Sequence, residues 1–214
     1  MVTIILQIPA FLFAIVFHEA AHAWMALRFG DTTAKDYGRL TLNPLPHLDM
    51  LGTVIMPLIC AAIGSVMFGW AKPVPINASN FKAAKMRKAI FWSSFAGPLA
   101  NIILVVVGSF VLAFVLARSS EAALAPQLVK FARFFININL VLAIFNLIPL
   151  PPLDGSRMVG SFLSYQQLLR YEMIGQYSFF IFLILIFTPF WSYVFIPFEW
   201  GTGFLIQFFY TLLS

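Results

Sequence analysis

Charge is scarce in this 214-residue chain, where Asp, Glu, Lys and Arg together make up 10%, against roughly one quarter in soluble domains. With 61% hydrophobic residues and a mean hydropathy of +0.92, water is excluded as its main solvent. Cysteine occurs once, at Cys60 inside an apolar run, which excludes an internal disulfide and a thiolate zinc site and leaves the reading of a small buried hydrophobe. No Lys or Arg precedes Arg28, so the first apolar stretch lacks the basic region of a signal peptide and reads as a retained helix. The formal net charge is +5, but the basic residues sit in short loops between apolar runs, where they orient helices in a bilayer. Nucleic acid is therefore excluded as a partner.

What remains is apolar and segmented. A run from about Thr3 to Phe29 carries only His18, Glu19 and His22 as ionisable groups before Gly30 and Asp31 end it. Residues 31 to 49 read as interfacial turns with a short hairpin. A second run, about Leu51 to Trp70, is interrupted by Pro57 and Gly64 and precedes Lys72-Pro73-Val74-Pro75 and the basic cluster Lys82, Lys85, Arg87 and Lys88. Placing that cluster and the Arg28 to Arg39 loop on the cytoplasmic side makes the second run re-entrant rather than spanning. Further segments are expected at about Ala89 to Ala117, Phe134 to Leu147 and Ile174 to Phe187, with a last one from Trp200 to Leu213. The expectation is an all-α polytopic membrane protein of about five to six transmembrane or re-entrant helices with a small interfacial β element, forming one domain over residues 1 to 214.

His18-Glu19-Ala20-Ala21-His22 puts two imidazoles one helical turn apart on one face, close enough to share a metal ion. In this pattern the intervening Glu is the general base acting on the attacking water. Ionisable groups in a spanning helix cost on the order of 2–3 kcal/mol each when charged, so they mark functional sites. A catalytic zinc needs a third protein ligand and an open position. No Glu lies between Glu19 and Glu121, which leaves His47, Asp49 and Asp154. Asp154 is favoured because Pro149, Pro151 and Pro152 enforce an irregular backbone before it, and such backbone at membrane depth must line a protein or water-filled cavity. The re-entrant arrangement also returns Asp154 to the leaflet of His18.

His18-Glu19-Ala20-Ala21-His22, Gly97-Pro98-Leu99-Ala100-Asn101 and Asn146-Leu147-Ile148-Pro149-Leu150-Pro151-Pro152-Leu153-Asp154-Gly155 together resemble the site-2 protease family of intramembrane metalloproteases, over about residues 5 to 160. Asn43 to Asp49 is similar to a short subgroup lacking PDZ and CBS domains. The resemblance implies zinc held by His18, His22 and Asp154, with Glu19 as catalytic base. It implies a membrane-protein substrate that unwinds before cleavage, and one Zn²⁺ per chain in a multi-pass protein of the cell membrane. It also places Asn101 and Asn146 near the site, as holders of substrate backbone or oxyanion or as inter-helix hydrogen-bonding groups. His47 is an auxiliary candidate lining a water path, or an interfacial hydrogen-bonding residue. The rival class is a zinc carrier or sensor without hydrolysis, which calls for ionisable relays along several helices, or an inactive scaffold relative. The oligomeric state is not encoded in any of these motifs.

Overall fold

The computed structural model describes residues 2–62, 69–118 and 125–214. The chain opens with α1 (Val2–Arg28), a short α2 (Thr33–Asp36), and a π-helical stretch Met50–Ile55 that runs into α3 (Met56–Ala62). Then come α4 (Met86–Arg118) and α5 (Ala125–Leu147). The remainder is α6 (Asp154–Gly160), α7 (Tyr165–Glu172), α8 (Ser178–Ile186) and α9 (Phe190–Leu213). Among the described residues four stretches are long and apolar enough to cross a bilayer: Gln7–Arg28, Ala83–Arg118, Pro126–Leu147 and Tyr165–Leu185.

Apolar packing sets the order of the bundle. Val105 and Leu112 of α4 meet Ala132, Ile136, Leu140 and Ile144 of α5, and Val194, Phe195 and Ile206 of α9 close the same cluster. Phe11, Ala14 and Ile15 of α1 pack on Ile138 of α5. Ala26 and Ala89 let α1 and α4 approach at the loop end, around Phe81. Thus α1, α4 and α5 pack against one another, and α9 closes on the cluster that α4 and α5 share. The many large apolar side chains facing outward, such as Phe110, Phe114 and Phe204, match a lipid rather than a water surround.

Three expectations shift. Among the described residues there is no strand, and the interfacial hairpin is replaced by turns and short helices, because side chains take the backbone donors a ladder would need. Asp31 accepts from Thr33 N, Asn43 Oδ1 from Leu45 N, and Asp49 Oδ1 from Gly52 N. The fourth segment begins at Ala125 and the last helix at Phe190, both about ten residues earlier than the apolar runs. A helix can carry Lys130 and Arg133 near its end, where they reach the interface. The second run does return to its starting side. Trp70 N donates to Gly52 O at 3.1 Å and Thr53 Oγ1 to Trp70 O at 2.8 Å, so the two ends of the excursion touch. Pro57 lies inside α3; Gly64 lies outside the described residues.

Asp31 anchors this side of the molecule. Its side chain, 1% exposed as a residue, accepts from Thr33 N and Oγ1, from Asn80 Nδ2 and from Asn77 N. Burial alone would raise its pKa, but the bonds from Thr33, Asn80 and Asn77 together outweigh burial and lower it. Its contribution is therefore complete above the ordinary carboxylate value of about 4 and fades as pH falls through the lowered one. Asp31→Asn should speed amide exchange in residues 76–82 several-fold at neutral pH. The ratio to the parent should shrink below about pH 4, as read by hydrogen-exchange mass spectrometry.

Candidate metal centre

His18 and His22 project from one face of α1, their rings 4.6 Å apart at 82°. The two Nε2 atoms are 3.0 Å apart, and Asp154 Oδ2 lies 3.2 Å from that of His18 and 3.1 Å from that of His22. Both histidines are buried. The carboxylate arrives because Pro149, Pro151 and Pro152 keep residues 148–153 out of helix until α6 starts. Tyr171 Oη and Ser178 Oγ hold that segment through the carbonyls of Pro149 and Pro151. Asp154 caps nothing in α6, so its side chain is free to turn toward α1.

The tautomers are set from outside. Asn139 Nδ2 donates to Phe135 O, which turns its Oδ1 toward Asn101. Asn101 Nδ2 donates to that oxygen at 2.8 Å and to Ala14 O at 3.2 Å, which leaves only Asn101 Oδ1 to face His18. His18 Nδ1 must then be the donor, at 2.6 Å. His22 Nδ1 likewise donates to Ser93 O at 2.6 Å. With both rings neutral, each Nε2 then presents its lone pair inward, beside a carboxylate oxygen.

Three acceptor atoms 3.0–3.2 Å apart repel unless a proton or a metal cation joins them. Ligand atoms of a tetrahedral zinc at about 2.0–2.2 Å stand about 3.3 Å from one another, so the donor set fits zinc in number, chemistry and spacing. Two imidazoles and one carboxylate leave a fourth position open, as in hydrolytic rather than structural zinc sites. Glu19 follows on the same helix, half-buried, with Oε2 accepting from Val74 N at 2.7 Å.

The two rival ligands lie apart from the trio. Asp49 is spent on Gly52 N. His47 is fully buried, with Nε2 donating to Thr41 O at 3.0 Å, and its Nδ1 is the one buried side-chain polar atom without a partner among the described residues. Asn101 faces His18. Every polar group of its amide named above is engaged, so it has no donor to offer an oxyanion. Asn146 sends one amide hydrogen back to Leu142 O at 3.0 Å. Sequence reasoning missed Asn139, Ser93 and Val74. Asn139 was visible as an amide inside an apolar helix, whereas Ser93 and Val74 act through the main chain and leave no side-chain signal.

Gly97 of α4 faces the imidazoles directly. A Cβ there would lie 2.6 Å from His22 Cε1 and 2.7 Å from His18 Cε1, closer still to His22 Nε2. Gly97→Ala should therefore lower bound zinc at least tenfold, measured by metal analysis of the purified protein. Asn101→Ala, which frees the His18 ring, should weaken zinc binding by about 10–100-fold in a chelator competition.

The model of the family described as Peptidase family M50 matches residues 6–188. Relatives bearing the name "Putative zinc metalloprotease" include YwhC of Bacillus subtilis, 44% identical over 182 residues that cover 84% of this chain and 79% of YwhC. Rip2 of Mycolicibacterium smegmatis is 28% identical over 188 residues, 86% of this chain and 68% of Rip2. No solved structure matches the chain. With a catalytic-type zinc geometry on membrane-length helices and a family match over most of its length, the chain belongs to peptidase family M50, the site-2 proteases, and is an intramembrane zinc metalloprotease.

Proposed function

We propose that His18, His22 and Asp154 hold one zinc ion per chain and that Glu19 is the general base for hydrolysis of peptide bonds in or near transmembrane segments. The observation that carries this reading is the meeting of three inward-facing acceptor atoms, from positions 132 and 136 residues apart, at 3.0–3.2 Å. When bound, zinc supplies Lewis acidity, lowering the pKa of a coordinated water and polarising the scissile carbonyl. Glu19 takes the proton of the attacking water on a carboxylate oxygen and delivers it to the departing amide nitrogen. Asn101 orients His18, and Ser93 O orients His22. Asn146 keeps a second amide hydrogen for substrate backbone or oxyanion. His47, in the loop whose carbonyl holds Lys72 N, supports the wall of the site rather than the metal.

Residues 1 to 214 act as a single membrane domain. The cluster Lys82, Lys85, Arg87 and Lys88 faces the cytoplasm, and the protein resides in the cell membrane with a membrane-protein segment as substrate.

In detergent, with a fluorogenic transmembrane peptide, Glu19→Gln should keep its zinc and lose about 10²–10⁴-fold in kcat. Asp154→Ala should lose zinc and turnover together. A chelator should abolish cleavage, and one equivalent of Zn²⁺ per chain should restore it. Undiminished turnover in zinc-loaded Glu19→Gln rules the reading out.

A further inference from the structure

Lys72-Pro73-Val74-Pro75 follows the point where the second apolar run turns back at Trp70. Residues 69–77 carry no helix, and the prolines push Lys72 and Val74 into extended conformations. Alternate N–H groups point to one side of an extended chain. Along that side Trp70 N donates to Gly52 O at 3.1 Å and Lys72 N to His47 O at 2.9 Å. The third donor in the series, Val74 N, meets Glu19 Oε2 at 2.7 Å in place of another backbone carbonyl. On the opposite side Pro73 and Pro75 have no N–H to offer, so that edge cannot complete a ladder.

The segment is tied independently of Glu19. Thr53 Oγ1 holds Trp70 O, Arg39 Nη1 holds Pro73 O at 2.8 Å, and Asn77 N is held by Asp31 Oδ2 at 2.8 Å. The Val74 side chain is buried with Ala23 and Ala34. The donor is therefore fixed before Glu19 reaches it. Glu is a long side chain whose rotamer freedom is worth on the order of 1.5–2 kcal/mol, and a general base must sit within hydrogen-bond reach of its proton.

We propose that the Val74 backbone N–H is a positioning donor for the general base: it holds Glu19 Oε2 so that Oε1, which accepts no hydrogen bond among the described residues, faces the attacking water. This rests on the reading of Glu19 as base given above. The flanking prolines make Val74 the sole backbone donor of residues 73–75 and aim it.

The test removes the N–H and keeps the side chain. α-Hydroxyisovaleric acid incorporated at position 74 of the full chain substitutes an ester oxygen and keeps the isopropyl group; Val74→Ala keeps the N–H and removes the side chain. Val74→Pro deletes the donor by a second route. Zinc content, kcat and KM are measured for each with a transmembrane peptide, beside the parent and Glu19→Gln. The ester should lose about 10–100-fold in kcat, the range of a hydrogen bond to a charged group, with KM and zinc little changed. Val74→Pro should follow it, and Val74→Ala should lose clearly less. An ester form with parental kcat beside an inactive Glu19→Gln overturns the positioning role and leaves the base intact. An equal loss in Val74→Ala, or loss of zinc in both donor-less forms, also overturns it by assigning the segment to packing. An active Glu19→Gln removes the base itself, and this inference with it.

Discussion

Two imidazole lone pairs and a carboxylate, packed within hydrogen-bond distance of one another at membrane depth, form an arrangement that no apolar interior tolerates without a positive charge at its centre. In a low-dielectric site the repulsion among three such acceptors is large, and so is their joint attraction for a divalent cation. The rest of the fold keeps these atoms from escaping. Asn101 and Ser93 prevent either ring from turning its N–H inward. Gly97 gives the rings a wall without a side chain, so that α4 can approach α1 at the level of the two imidazoles.

The asparagine pair does more than hold a tautomer. Asn139 is braced on its own helix and passes its oxygen to Asn101, which reaches both Ala14 O and His18. One directed chain of amides thus sets the spacing of α1, α4 and α5, the helices whose apolar surfaces alone would slide more freely. A fully satisfied buried network of this kind rigidifies its surroundings, because every alternative leaves a polar group unpaired.

Much of this was legible in residues. The His18 and His22 spacing needs only a helical period, and the prolines before Asp154 announce an extended segment at the end of an apolar run. The return of the second segment followed from loop charge and is seen in the contact of Gly52 with Trp70. Less legible were features that depend on which groups meet. Asp31 and Asn43 capture backbone donors that a hairpin would have used, and the Thr- and Asn-rich composition of that stretch suits either outcome. The role of Asn101 turned on the direction of its amide, which motif position does not encode. Backbone partners such as Ser93 O and Val74 N are invisible to any reading of side-chain types, although the prolines around Val74 mark where a lone donor remains.

The carboxylate that meets the imidazole pair comes from far along the chain, 136 residues after His18 and 132 after His22. The three side chains can meet only once α5 and the proline segment that follows it are in place, so the trio is completed by the later part of the chain.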